Sequence, residues 1–391
     1  MEIPKNKTIM RLAEWIQSRI ERHRCFPMIR IVDRYLVWEF VKALLVVVAM
    51  FYVIGVVIVL FDEIDAFLEH GASFSVALKM VLFSAPYRLA ESGPLVMLLA
   101  AVFSVGRLVH SREIDAMIIG GYRLRRLLVP LVSCAVVCAL AFFLVCEHVI
   151  APWSAEAEDL MDLHIKPHGE GPVGRKSVWM LGQNKRKYYV ELFEPAEGRL
   201  HGVDVLEMAD DGFQPARRIK ANEALWDSGS GVWQMSNGTE WIFKAQGEAE
   251  VHAFKKLDYL VEETPRDFSL VSQDEKALSH ADLSHLVRMI RRAGGDPVIY
   301  LPYLRLREAL PFSLIIMSVL GLGLAVHTGR GGYVLGLGIS LLVAVVFYGI
   351  LLLCLSCAQK GILSAWLAAW IPNITLGTAM FWHLHQLDQT T

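Results

Sequence analysis

Long apolar runs occupy both ends of this 391-residue chain and leave a polar block between them. Each run approaches the roughly 20 residues that an α-helix needs to cross a bilayer. Between about residues 151 and 300, polar and apolar positions alternate instead, as in Val190-Glu-Leu and Val203-Asp-Val-Leu-Glu-Met. Such alternation is typical of half-buried strands. The pattern predicts a membrane α-helical protein, three spans on each side of an inserted all-β domain.

The hydrophobic pattern divides the chain into four segments. They are a basic N-terminal segment (1–35), spans one to three with a short loop helix near 110–121 (36–150), the β domain (151–300), and spans four to six with a short tail (301–391). Turn sequences such as Asp227-Ser-Gly-Ser-Gly and Asn237-Gly separate the strands. Their spacing predicts a β-sandwich or jelly roll.

Two prolines interrupt the second span, which we place at about 76–106. Pro86 and Pro94 have no N–H to donate, so they are expected to kink the helix. Arg88 and Glu91 lie between them. Charges at such depth are tolerated only against protein, water or headgroups. This stretch therefore lies near the outer interface or lines a cavity.

Basic residues are distributed unequally among the short loops. Residues 1–35 contain eight lysines and arginines and residues 107–126 contain five arginines, whereas residues 62–75 contain neither. The excess of positive charge marks cytoplasmic loops. The N-terminus is thus predicted to be cytoplasmic and the β domain to lie on the opposite side. Two interpretations of residues 1–35 are open, an amphipathic helix on anionic lipid or a frayed tail.

Composition and motifs exclude several classes of function. The chain is 54% hydrophobic with a mean hydropathy of +0.41 and a net charge of −2, which does not favour nucleic-acid binding. The sequence lacks a phosphate-binding loop of the Gly-x-x-x-x-Gly-Lys-Ser/Thr type, so we expect no ATP hydrolysis by this chain. We predict no catalytic residues, no cofactor and no metal site, since no His, Cys, Asp and Glu cluster has convincing spacing.

The loop after the second span predicts a short helix. Ser111 followed by Glu113 and Asp115 is typical of a capped helix start, and Gly120-Gly121 is expected to end the helix. A half-apolar helix of this kind suits the groove of a soluble partner, or alternatively lies on lipid. The residues expected to form the docking element are Arg112, Glu113, Ile114, Met117, Gly120 and Gly121.

Several of these motifs together resemble the LptF/LptG family. They are Asp33-Arg34-Tyr35, the prolines eight residues apart, Ser111-Arg-Glu113 with Met117 and Gly120-Gly121, and Ala151-Pro-Trp. The resemblance covers the chain from about residue 30. Two late features resemble the LptG branch: the helix from Leu278 to Gly294-Gly295, and Ala368-Ala-Trp-Ile-Pro-Asn373.

The resemblance implies a permease subunit of a lipopolysaccharide ABC exporter in the bacterial inner membrane, with its jelly roll in the periplasm. The implied partners are an LptB-type ATPase dimer, the paralogous permease, and the jelly-roll proteins LptC and LptA. The helix around Glu113 would be the coupling helix in the ATPase groove. Lipopolysaccharide would enter between the two permeases and be passed upward, from sheet edge to sheet edge.

One departure from the family concerns the outer end of the first span. Lysines that would face lipid phosphates are replaced here by Val59, Asp62, Glu63 and Asp65. Other charged residues near the same depth are therefore our candidates for lipid binding: Arg88, Glu91, Arg305 and Arg307.

Three alternatives stay open at this point. The chain could be the LptF paralogue. It could be a membrane-anchored periplasmic sensor or assembly protein, which would need neither charged, kinked spans nor an ATPase. It could also be an intramembrane enzyme acting on lipid, for which Arg88 and Glu91 are the only paired residues.

Overall fold

The computed structural model describes residues 31–69, 71, 73–161, 175–195, 197–209, 214–244, 249–273, 278–328 and 333–390. Most of the basic N-terminal segment thus lies outside the described residues. The helices are α1 (Ile31–Glu69), α2 (Phe74–Glu91), α3 (Gly93–His110), α4 (Glu113–Ile119), α5 (Leu124–Val145), α6 (Ala151–Leu160), α7 (Pro265–Val271), α8 (His280–Arg292), α9 (Tyr300–Thr328), α10 (Tyr333–Gln359) and α11 (Ala365–Thr390).

Five helices in the described ranges are long and apolar enough to cross a membrane. They are Ile31–Glu69, Gly93–His110, the continuous run Leu124–Glu158, Tyr300–Thr328 and Leu335–Gln359. The second span is broken as expected, and its first half, α2, is not among the five. The sixth expected span coincides with α11, and its crossing of the membrane stays a prediction.

The first helix is longer than a single membrane span requires. Its 39 residues extend about 58 Å at roughly 1.5 Å per residue, against a hydrocarbon core of roughly 30 Å. The acidic stretch after Phe61 is helical, because α-helix geometry continues wherever nothing interrupts the backbone hydrogen bonds. The chain also stays helical beyond the third span. A π-helical turn (Cys146–Ile150) joins α5 directly to α6.

Helices α3 and α9 form the tightly packed centre of the helical region. A Cβ added to Gly321 of α9 would lie 2.6 Å from the carbonyl oxygen of Leu98 and 2.8 Å from the Cβ of Ala101 on α3. Only glycine permits this approach. The neighbouring cluster of buried side chains comes from α1, α3, α4, α5 and α9, so these five helices share one core.

Six antiparallel strands form one sheet in sequential order. They are β1 (Arg175–Leu181), β2 (Arg186–Glu194), β3 (Arg199–Met208), β4 (Pro215–Asp227), β5 (Val232–Phe243) and β6 (Ala249–Tyr259). The prediction of a separate antiparallel β domain is confirmed. The described strands follow one another up and down in a single sheet, and a jelly roll stays a prediction.

Helices α7 and α8 cover one face of the sheet. Leu283, Leu286 and Val287 of α8 are buried against strand residues such as Val203 and Ile219. These residues form the apolar stripe of α8, and Ser279 caps the helix by accepting a hydrogen bond from the backbone N–H of Asp282. The same core includes Tyr303 and Leu304 of α9, so the sheet and the fourth membrane helix are packed together.

One buried carboxylate ties the sheet to α7. Glu263 is 2% exposed and accepts hydrogen bonds from the Tyr188 hydroxyl, at 3.0 Å, and the backbone N–H of Gln183. Burial, together with the neighbouring Tyr259 and Glu263, raises the pKa of Tyr188, so its phenol stays neutral and donates. The backbone oxygen of Glu263 accepts from the Trp233 indole at 2.9 Å.

Replacing Glu263 with alanine is expected to lower the free energy of unfolding by about 3 kcal/mol, because the buried donors of Tyr188 and Gln183 lose their acceptor. Denaturant unfolding followed by tryptophan fluorescence measures this, since Trp233 reports on the same core. Glu262→Ala is the matched control, because Glu262 is the exposed neighbour. Equal stabilities of the two variants would contradict the prediction.

Candidate functional site

Two tyrosines of neighbouring helices donate hydrogen bonds to carbonyl oxygens of the broken second span. Pro86 cannot donate to the carbonyl oxygen of Leu82 four residues earlier, and the hydroxyl of Tyr52 on α1 donates to that oxygen instead, at 3.4 Å. At the break itself, the hydroxyl of Tyr348 on α10 donates to the carbonyl oxygen of Glu91 at 3.0 Å. The carbonyl oxygens of Leu82 and Glu91 are thus paired with hydroxyl groups of neighbouring helices, as a membrane interior requires.

A cavity of about 540 Å³ lies beside this break. Its walls come from the α2–α3 break, the π-helical turn, α9 and α10. Most of the lining is apolar, including Leu306, Leu310 and Leu351, while Glu91 and Arg307 supply charge. An apolar chamber with few charged groups suits an amphiphile that carries both acyl chains and a charged headgroup.

The structure separates the four candidate lipid-binding residues. Arg307 and Glu91 line the cavity, whereas Arg88 and Arg305 do not. The guanidinium of Arg88 pairs with Asp62 at 3.1 Å and Glu91 at 3.4 Å. That of Arg305 donates to both oxygens of Glu308, at 2.9 and 2.8 Å. Of the three arginines, Arg307 is therefore the one that a phosphate in the cavity would meet.

The loop helix α4 forms where the sequence predicts it, but Ser111 is not its cap. Arg112 occupies the N-cap position in a left-handed conformation (φ 59°) without a capping side chain, so the predicted Ser111 cap was wrong. The Ser111 hydroxyl instead donates to the carbonyl oxygen of Leu108 and to the Glu113 carboxylate. Gly120 is the C-cap, and Gly121 turns the chain with a φ of 91°.

Glu113 fastens α4 to the first membrane helix. Its carboxylate accepts hydrogen bonds from the hydroxyl of Tyr35 at 2.6 Å and of Ser111 at 2.8 Å. The bond from Tyr35 lowers the pKa of Glu113, so the carboxylate stays ionised at neutral pH. Sequence reasoning missed this contact because 78 residues separate its partners.

Two ion pairs join the same parts of the chain. Arg126 pairs with Asp33 at 2.7 Å, and Arg107 pairs with Glu39 at 2.9 Å. Glu39 also pairs with Lys42, as the sequence predicts. The start of α1 and the α3–α5 loop region are therefore linked by several contacts, and a displacement of α4 is expected to move α1.

The outer side of α4 presents apolar groups. Ile114 is buried against the helical core, whereas Ile119 is 87% exposed and Ile118 is also exposed. Arg112 and Asp115 are exposed beside them, and Met117 is half-buried. An apolar tip flanked by charges can insert into a protein groove or lie at a lipid interface, so both interpretations of the sequence are compatible with this geometry.

Metal binding finds no support in the described ranges, where no group of three or more His, Cys, Asp or Glu residues is placed to hold an ion.

Five membrane-length helices in the described ranges, together with a separate antiparallel sheet, indicate a multi-pass membrane protein. The family model described as lipopolysaccharide export system permease LptF/LptG matches residues 34–386. The chain therefore belongs to the LptF/LptG family, whose members are permease transport subunits rather than enzymes. The family model covers both paralogues. No curated protein matches the chain.

Proposed function

We propose that this chain is the permease subunit of an ABC exporter that extracts lipopolysaccharide from the bacterial inner membrane, driven by a separate ATPase. The observation that carries the proposal is the family match over residues 34–386. The cavity supports it chemically. Lipopolysaccharide carries acyl chains and phosphates, and Arg307 offers a cation within an apolar chamber.

The ATPase is proposed to dock on α4. An LptB-type dimer would receive the exposed Ile118 and Ile119, as an apolar helix tip enters a groove. The contact between Tyr35 and Glu113 would then carry the movement of the ATPase to the first span. In this scheme Arg112, Ile114, Met117 and the two glycines shape the docking helix and its turn.

The β domain is proposed to lie in the periplasm and to continue into neighbouring jelly rolls of the LptC and LptA type. Orientation follows from the basic residues of the N-terminal segment and the α3–α5 loop. Among the described strands, β1 and β6 are the sheet edges. An edge of this kind accepts a further strand through its free backbone groups, which suits a continuous path for lipid.

Six spans, the four-segment division and the LptG assignment are also part of the proposal. Helix α11, with Ala368-Ala-Trp-Ile-Pro-Asn373, would be the sixth span, and α8 with its Gly294-Gly295 end favours LptG. The LptF paralogue is the second candidate. A periplasmic sensor or an intramembrane enzyme is less well supported, since neither explains a fastened docking helix, and Arg88 and Glu91 pair with each other outside any catalytic arrangement.

Affinity purification of the chain from its native membrane tests the proposal. Mass spectrometry of proteins and lipids is expected to find an ATPase, a paralogous permease and lipopolysaccharide in the same complex. The identity of the paralogue then assigns this chain by elimination. Recovery without an ATPase, or with a signalling partner instead, would refute the export function.

A further inference from the structure

One carboxylate joins the third membrane helix to a helix of the β domain. Glu147 lies in the π-helical turn after α5. Its Oε2 accepts a hydrogen bond from the backbone N–H of His280 at 2.8 Å, and its Oε1 accepts one from Ala281 at 2.9 Å. These are the first N–H groups of α8, which have no partner inside the helix. The positive end of the helix dipole strengthens the contact.

Helix α8 connects Glu147 mechanically to the sheet. Leu283, Leu286 and Val287 are buried in the core that contains the strand residues. The ring of His280 also lies edge-on to Phe143 of α5, with the ring centroids 6.4 Å apart. Because α8 is packed into the core of the β domain, displacing Glu147 would loosen the domain on its α5 side, while its packing against Tyr303 and Leu304 of α9 remains.

The same junction lies next to the cavity. Cys146 and Ile150, in the π-helical turn that contains Glu147, line it, and so does Arg307. Arg307 interacts electrostatically with Glu147 and with Asp282 in the first turn of α8. A lipid phosphate that reached Arg307 would offset the positive charge that attracts Glu147 and would itself repel the Glu147 carboxylate.

We propose that Glu147 is a positioning residue that fixes the β domain against the third span, and that a phosphate-bearing lipid in the cavity releases it through Arg307. The identity of that lipid as lipopolysaccharide rests on the proposed function, whereas the fastening by Glu147 does not. Occupancy of the cavity would thereby control when the β domain can move to receive the lipid.

Distance measurements between two spin labels test the fastening directly. Genetically encoded labels at the exposed Val137 of α5 and the exposed Lys256 of β6 are expected to give one narrow distance distribution in the full chain in nanodiscs. In Glu147→Ala the distribution is expected to broaden about twofold, because both charge-assisted hydrogen bonds are lost. Glu147→Gln, which keeps one acceptor oxygen, is expected to be intermediate. An unchanged distribution in Glu147→Ala overturns the proposal.

A matched control removes a carboxylate from the same helical run. Glu156 of α6 pairs with Lys79 at 2.6 Å, and both side chains are about half exposed. Glu156→Ala is expected to leave the distances unchanged. Broadening of similar size in this variant would show that any charge loss loosens the domain and would overturn the specific role of Glu147.

Adding lipid to the native chain tests the release. Purified lipopolysaccharide in phosphatidylethanolamine nanodiscs is expected to broaden the same distribution, and Arg307→Gln is expected to abolish that response. Broadening by phosphatidylglycerol as well would support a phosphate site that is not specific for lipopolysaccharide. If lipopolysaccharide has no effect although Glu147→Ala does, the release by lipid is refuted. If Glu147→Ala broadens the distribution but no ATPase copurifies with the chain, the proposed export function is refuted and the role of Glu147 is not.

Discussion

Replacing Glu113 with lysine is expected to reduce lipopolysaccharide export at least tenfold while the protein still inserts and folds. The carboxylate loses its hydrogen bonds from Tyr35 and Ser111, and the new cation faces Arg107, which attracts the native carboxylate. A hydrogen bond to a charged group contributes about 1.5–3 kcal/mol, and about 1.4 kcal/mol corresponds to a factor of ten. The measurement is lipid exported per ATP hydrolysed in proteoliposomes containing the complex.

Tyr35→Phe separates two ways in which Glu113 could act. It removes one donor and keeps the ring, so an intermediate loss of export with normal ATPase recruitment indicates that Glu113 couples α4 to α1. No loss in Tyr35→Phe alongside a full loss in Glu113→Lys would assign Glu113 to the ATPase contact itself. Export retained in Glu113→Lys, with the ATPase still bound, would contradict the coupling role.

The contact between Tyr35 and Glu113 also has a pH dependence of known sign. Because the hydrogen bond lowers the pKa of Glu113 in the folded protein, its stabilising effect is present above the ordinary pKa of a glutamate. The effect is lost as the pH falls through the lowered value. The contact is therefore expected to persist throughout the neutral range and to fail only in acid.

Charge reversal at Arg307 is expected to lower lipid-stimulated ATP hydrolysis at least tenfold, whereas Arg88→Glu and Arg305→Glu have smaller effects. Arg307 faces the cavity, and an arginine–phosphate contact is charge-assisted, at about 1.5–3 kcal/mol. Arg88 and Arg305 do not line the cavity, so a phosphate bound there would not meet them. The measurement compares hydrolysis by the three variant complexes with and without lipopolysaccharide.

Arg307→Lys refines this comparison. Lysine keeps the charge but cannot form the two parallel hydrogen bonds of a guanidinium, so its activity is expected to fall between those of Arg307→Glu and the native protein. Equal activity of all three charge-reversed variants would mean that Arg307 has no special role because of its place in the cavity. Unchanged activity of Arg307→Glu would make its role structural.

The periodicity of the sequence predicted the helices and strands, because the polarity of each residue reflects whether its own position is buried or exposed. Apolar runs of membrane length identified helices in the described ranges, and alternation identified the antiparallel strands. Pro86 and Pro94 identified the broken span, since each proline removes one backbone hydrogen-bond donor from the helix. The sequence analysis missed that α1 extends to Glu69, although no glycine or proline interrupts the chain between Phe61 and Gly71. It also missed that α5 continues through a π-helical turn into α6.

The sequence identified the charged candidates for lipid binding but could not rank them. Charge and depth selected Arg88, Glu91, Arg305 and Arg307 together, because composition gives each arginine the same charge. Only the fold distinguishes them, by placing Asp62 beside Arg88 and leaving Arg307 against the cavity. The cap assigned to Ser111 failed since a left-handed residue at Arg112 moved the helix start by one position.

The sequence by itself thus determined which segments are apolar helices and which alternate as strands, whereas the turn predicted at Asn237-Gly238 was wrong, since both residues lie inside β5. Apolar runs and alternation are properties of neighbouring residues. The tertiary structure alone decided that Tyr35 meets Glu113, that Tyr348 holds the break at Glu91, and that Glu147 binds the start of α8. Such contacts join residues from 78 to 257 positions apart, and their geometry depends on how packed helices and strands approach one another, which no local pattern specifies.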